Sequence, residues 1–188
     1  MLIVRTKLEG LTLFRPTVHQ DERGFFLEGF KLSSLQRVVG PINFMQDNHA
    51  LSTQAGVLRG LHFQTPPYTQ SKYVWVTKGS IFDVAVDLRV GSPTYGRWEA
   101  FVLTSENFLR LFVPKGFAHG YMTLEPYTEV QYKVDAYYAP KNDGGIAWDD
   151  PDLNIKWPDI APILSEKDKE HPKLADFVSP FTGAALRP

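Results

Sequence analysis

Two histidines stand inside stretches that otherwise read as β-strand, His62 in Leu58-Arg59-Gly60-Leu61-His62-Phe63-Gln64 and His119 in Gly116-Phe117-Ala118-His119-Gly120-Tyr121. A third polar segment, Gln46-Asp47-Asn48-His49, has the same strand-like setting. An imidazole holds or releases a proton near neutral pH, so His62 has the chemistry of a general base. The plainer alternative is a core histidine whose ring nitrogens are satisfied locally. His119, which follows Pro114-x-Gly116, has its own plain alternative as a strand-start residue bound to a turn carbonyl. Arg23, Arg59 and Lys72 fall in short polar breaks, and fixed cations among buried strands need anionic partners. Single salt bridges would meet that need; three cations converging on one pocket would suit a diphosphate, with guanidinium groups forking onto phosphate oxygens. Two histidines without a clear carboxylate make a poor catalytic metal site, which wants three protein ligands, so no metal is expected.

Strands must position these groups. Runs of β-branched and aromatic residues alternate with turn clusters such as Thr65-Pro66-Pro67, Lys78-Gly79-Ser80, Gly91-Ser92-Pro93 and Lys141-Asn142-Asp143-Gly144-Gly145. From Ile81 to Arg89, the residues Phe82, Val84, Val86 and Leu88 share one face while Asp83, Asp87 and Arg89 lie opposite, which predicts a half-buried strand. Val130, Tyr132 and Val134 likewise oppose Glu129, Gln131 and Lys133, so Tyr132 points with apolar neighbours. Helical signal is confined to Lys31–Val39 and to a start at Ser165, with Ser165 as cap and Asp168 at the third helical position. The pattern predicts a mainly β, antiparallel jelly roll with a few short helices, whose interior is a natural pocket.

The 188 residues, 43% of them hydrophobic, suffice for one core, so a single domain over residues 1–188 is expected, with the tail from about Lys173 peripheral. A net charge of −1 argues against a nucleic-acid polymer as partner. The absence of cysteine excludes disulfides and thiol nucleophiles, and no membrane span or signal peptide is evident, so a cytoplasmic protein is expected. The common dinucleotide, P-loop, zincin and hydrolase fingerprints do not occur.

Six motifs occur in order: Asp21-Glu22-Arg23-Gly24-Phe25-Phe26, Gln46-Asp47-Asn48, Gly56 to His62, Phe82-Asp83-Val84-Ala85-Val86-Asp87, Gly116-Phe117-Ala118-His119-Gly120 and Leu164-Ser165-x-Lys167-Asp168. Together they closely resemble the dTDP-4-dehydrorhamnose 3,5-epimerase family, from about Arg5 to Pro172. The resemblance implies a homodimeric cupin-type jelly roll that needs no cofactor. It further implies epimerisation of dTDP-4-dehydro-6-deoxy-D-glucose at C3 and C5, giving dTDP-4-dehydro-L-rhamnose. By the same match His62 is the base, Tyr132 the acid, Asp168 the carboxylate that orients His62, and Lys72 the cation near the C4 oxygen. Arg23, Phe26, Glu28, Gln46, Asn48, Arg59, His119, Asp143 and Lys167 correspond to residues that hold the dTDP-sugar, and Tyr138 to an aromatic stacked on thymine.

The second cupin motif, Pro-x-Gly-x-x-His, is present at Pro114, Gly116 and His119, but the first is reduced to His62-Phe63-Gln64. Two departures from the family pattern stand out: Tyr73-Val74-Trp75 follows Lys72 where Leu-Val-Arg is usual, and Asp143 stands where Glu is common. Three alternatives remain open in the sequence. One is a C3-only or C5-only epimerase, the second a metal-dependent oxygenase, and the third a non-catalytic sugar-nucleotide binder.

Overall fold

The computed structural model describes residues 2–183. Along the chain come Leu2–Arg5 (β1), Thr12–Arg15 (β2), Val18–Asp21 (β3), Gly24–Leu27 (β4), Leu32–Val39 (α1), Gln46–Ser52 (β5), Leu58–Gln64 (β6) and Lys72–Lys78 (β7). There follow Ser80–Asp87 (β8), Trp98–Thr104 (β9), Arg110–Val113 (β10), Phe117–Thr123 (β11), Thr128–Val134 (β12), Asp143–Gly145 (β13) and Glu166–Lys169 (α2). A six-stranded sheet, β1-β2-β10-β7-β12-β5, faces a five-stranded sheet, β13-β6-β11-β8-β9, while β3 and β4 form a separate hairpin. The pairings within these sheets are antiparallel, and the architecture is the expected jelly roll.

Alternation decides what each strand offers the interior. Val74, Val76, Leu111, Val113 and Val130 from the first sheet meet Ile81, Ala85, Phe117 and Tyr121 from the second in a buried cluster. The outer face of the first sheet carries Phe14, Tyr73 and Phe112, covered by Leu35 of α1. The outer face of the second carries Leu61, Phe63, Val84 and Val86, covered by Ile146, Leu153 and Phe181 from the C-terminal third.

That outer covering overturns two expectations. Strand β8 is not half-buried: Phe82, Val84 and Val86 pack under the C-terminal segment, and the face bearing Asp83 and Asp87 is the roll's interior, where both carboxylates are fully enclosed. Nor is the chain beyond Lys173 peripheral as far as it is described. Phe181 is fully buried, its carbonyl accepts from the Val90 amide, and Leu174 and Phe177 pack beside it. Residues 184–188 of the expected tail lie outside the described residues.

The backbones of β6 and β11 approach unusually closely at Gly60 and Gly120, where a Cβ on Gly60, which sits at φ +145°, would lie 2.5 Å from the Gly120 Cα. Only glycine fits there. The pairing it permits sets His119 directly opposite His62.

Candidate active site

One cavity of about 470 Å³ opens between the sheets, and its lining includes Arg59, His62, Lys72, His119, Tyr121, Tyr132, Lys167 and Asp168. His62 and His119 project into it from the five-stranded sheet, on β6 and β11. Tyr132 and Lys72 come from β12 and β7 of the six-stranded sheet, on the faces that also carry Val130 and Val74. The two candidate proton-transfer groups therefore reach the cavity from facing sheets.

Asp168 arrives from the other end of the chain. Ser165 caps α2 by accepting from the Asp168 amide, and its hydroxyl donates to Asp168 Oδ2 at 2.8 Å. This holds the buried carboxylate with Oδ1 against His62 Nε2, so the imidazole donates from Nε2. The other ring nitrogen, Nδ1, keeps its lone pair, which is the tautomer a base requires. Burial pushes the His62 pKa below its ordinary value, Asp168 pulls the other way, and Lys72 and Lys167 add to the depression. Burial opposes ionisation of Asp168, yet the imidazoles of His171 and His62 and the Ser165 hydroxyl hold it well below the usual carboxylate range.

Lys72 makes no ion pair among the described residues; its ammonium donates only to the His62 carbonyl, at 3.4 Å. Burial lowers its pKa to about 8, against the attraction of Asp143 and Asp83. A desolvated cation with no carboxylate of its own is suited to an oxygen that gains negative charge. The Tyr132 phenol is raised by burial and lowered in part by Arg59, so it stays protonated at neutral pH and can give a proton.

The remaining expected residues fall into three groups. His119 reaches the cavity but is buried, with Nε2 2.8 Å from Asp83 Oδ1, so a carboxylate rather than a turn carbonyl fixes its ring. Gln46, Asn48, Tyr138, Asp143 and Lys167 form a linked polar set. Gln46 donates to Asn48 at 2.8 Å and accepts from the Tyr138 amide at 3.2 Å, the Tyr138 hydroxyl donates to Asp143 at 3.0 Å, and Lys167 pairs with the same Asp143 oxygen. Gln64 anchors this loop by accepting from the Ala139 amide at 2.7 Å and donating to the Tyr68 carbonyl. Arg23, Phe26 and Glu28 are not brought to the cavity by their own chain. Arg23 and Phe26 line a separate groove on the β3–β4 hairpin, where Arg23 pairs with Asp21, and Glu28 pairs with Lys31.

Trp75, one of the two departures from the family pattern, lies on the opposite face of β7 from Lys72, packed with Tyr73, and the Arg110 guanidinium sits 5.1 Å above its ring. The ring therefore leaves the cavity unchanged. Two further residues, Tyr121 and His171, join the site without a motif that marks them. Tyr121 shares the cavity with Tyr132, and burial raises its pKa too; its interior parity with His119 was the available signal. His171 faces Asp168 Oδ1 at 3.6 Å, and His62, Asp168 and His171 each bring a donor atom within 4.8 Å of the others. The three-residue spacing from Asp168 to His171, just past the end of α2, is the only signal of this contact in the sequence.

A protonated phenol, a neutral imidazole and a buried ammonium around one cavity can move a proton beside a carbonyl. The comparisons agree with this chemistry. A family model described as dTDP-4-dehydrorhamnose 3,5-epimerase matches residues 5–176. A protein of that name from Sinorhizobium fredii is 48% identical over 170 residues, covering 90% of this chain and 87% of the relative. A Bacillus anthracis structure of that name, with TDP and PPi bound, superposes with a TM-score of 0.89 at 44% identity, covering 92% of this chain and 99% of the other. A Legionella pneumophila dTDP-6-deoxy-D-glucose-3,5-epimerase, in complex with dTDP-4-keto-L-rhamnose, gives 0.90 at 41% identity, covering 100% and 97%. This chain belongs to the dTDP-4-dehydrorhamnose 3,5-epimerase family and is an isomerase of nucleotide sugars.

Proposed function

We propose that the protein converts dTDP-4-dehydro-6-deoxy-D-glucose to dTDP-4-dehydro-L-rhamnose by inverting C3 and C5. One observation carries the reading: His62 and Tyr132 enter one cavity from facing sheets, with the Lys72 ammonium between the same walls. A hydrogen on a carbon beside the C4 ketone is acidic because its removal leaves an enolate. His62 Nδ1 takes that proton, the C–H electron pair moves into the ring, and the charge comes to rest on the C4 oxygen beside Lys72. Tyr132 then gives its phenolic proton to the carbon from the other side, and the configuration is inverted. The imidazolium and phenolate return to their resting states by proton exchange with solvent. Asp168 fixes the His62 tautomer and stabilises the imidazolium, as a carboxylate does in other His–Asp pairs.

Substrate binding is assigned to Arg59, His119 and Lys167 in the cavity, and to Gln46, Asn48, Asp143 and Tyr138 in the linked polar set. Arg23, Phe26 and Glu28 lie elsewhere in their own chain, so a binding role for them requires the hairpin of a second copy. The exposed Phe25 and Phe26 on that hairpin support such an assembly, and a homodimer in the cytoplasm is part of the proposal. Incubation with dTDP-4-dehydro-6-deoxy-D-glucose followed by NMR of the sugar tests the reading. Inversion at both C3 and C5 is expected; a product inverted at one centre would establish a single-centre epimerase instead, and an unchanged sugar would contradict catalysis.

A further inference from the structure

We propose that His62, Asp168 and His171 form a binding site for a zinc ion, and that the bound ion switches the base off rather than serving the reaction. One donor atom from each of the three lies within 4.8 Å of the others. Asp168 Oδ1 is the shared point: His62 Nε2 donates to it, and His171 Nε2 faces it from 3.6 Å. That distance is too long for a hydrogen bond. The His171 nitrogen is fully enclosed, has no hydrogen-bond partner among the described residues, and belongs to a side chain only 8% exposed. A buried polar atom left in this state costs stability unless something else satisfies it.

Two imidazoles and a carboxylate are a donor set that zinc accepts, with a fourth position left for water. Zinc bonds of ~2.0–2.2 Å place neighbouring donors roughly 3.3 Å apart in a tetrahedron. The Oδ1 to His171 separation already lies near that value, so the adjustment falls on the His62 ring. The surroundings hold the other parts in place. Ser165 donates to Asp168 Oδ2 at 2.8 Å, which leaves Oδ1 free to ligate. Gly145 packs against His171, and a Cβ there would lie 2.5 Å from Nε2, closing the space. Lys72 and Lys167 oppose a cation, but Lys167 is already paired with Asp143.

The consequence for His62 follows from proton accounting. In the resting pair the ring proton is on Nε2 and the lone pair is on Nδ1. Zinc takes the Nε2 lone pair, the neutral ring's one proton moves to Nδ1, and no acceptor remains toward the cavity. Binding stands on the geometry alone; inhibition rests on the proposal that His62 is the base.

The test uses the full chain, treated with a chelator and then titrated with zinc chloride against a chromogenic zinc indicator. Wild type and His49→Ala should each bind one zinc per chain. The second variant removes the exposed His49–Glu129 pair, a competing surface ligand set. His171→Gln, checked for folding by thermal melting, should bind at least ~10–100-fold more weakly. Imidazole NMR of the wild type should show zinc-dependent shifts at His62 and His171 and none at His119. Absence of wild-type binding, equal affinity in His171→Gln, or shifts confined to His19 and His49 would each overturn the site. Zinc should also stop solvent-deuterium exchange into the sugar with the same midpoint as binding. One zinc bound at these histidines with exchange intact would uphold the site and contradict the base assignment.

Discussion

His62 on β6 and Tyr132 on β12 belong to different sheets of the roll yet line one cavity. A sheet presents only one face to the interior, so two groups on the same strand or the same sheet would approach a bound ring from one direction. Inversion of a carbon needs two directions. In the proposed mechanism the sandwich supplies them, and the buried Lys72 supplies the charge that makes the intermediate accessible.

The pH dependence of kcat/KM should be bell-shaped. On the acid side, activity falls as His62 is protonated, and because burial lowers its pKa the midpoint should lie below the ordinary 6.5. On the alkaline side, activity falls as Lys72 loses its proton, with a midpoint near the value of about 8 to which burial lowers it. Lys72→Gln should remove the alkaline limb and lower kcat by roughly 10²–10³-fold, the scale seen when one oxyanion donor is lost. An alkaline limb unchanged in Lys72→Gln would refute the assignment.

Ser165→Ala should destabilise the protein by about 1 kcal/mol through loss of the α2 cap, measured by urea denaturation. It should also lower kcat more than it raises KM, because Asp168 loses the bond that aims it at His62. The folded Asp168 carboxyl ionises more readily than its usual 3.8, so its contribution to stability is complete above about that pH and drains away as pH falls through the folded value. Asp168→Asn should flatten this part of the stability profile between pH 5 and the acid transition.

Trp75→Leu should cost about 2–4 kcal/mol in the cluster outside the first sheet and leave KM within about twofold, since the ring faces away from Lys72. A large change in KM with stability intact would place the ring's influence inside the cavity after all.

Much of this arrangement is legible in the sequence because it is local. Alternation placed Tyr132 with Val130 and Val134, and the serine before Glu166 and Asp168 announced the cap of α2. What alternation cannot say is whether the second face of a strand meets solvent or another layer. Asp83 and Asp87 therefore read as surface residues although they are enclosed, and Phe181 read as tail although it seals the outer layer. The His62–Asp168 contact joins residues 106 apart in the chain, and only the family resemblance anticipated it. Arg23 shows the opposite limit: its motif is plain, but its own chain leaves it in the groove of the β3–β4 hairpin, away from the cavity that holds His62.

Arg23→Ala and His62→Ala should each be poorly active alone and partly active when mixed and refolded together. If Arg23 serves the cavity of a second copy, a mixed dimer has one cavity with both residues intact, and random pairing restores about a quarter of wild-type activity. No recovery on mixing would contradict the shared site.

The most direct measurement is solvent-deuterium incorporation at C3 and C5 of dTDP-4-dehydro-6-deoxy-D-glucose, followed by NMR for wild type, His62→Ala and Tyr132→Phe. The account predicts exchange at both carbons in wild type, none in His62→Ala, and exchange that outlasts net inversion in Tyr132→Phe. Wild-type exchange rates in His62→Ala would contradict it.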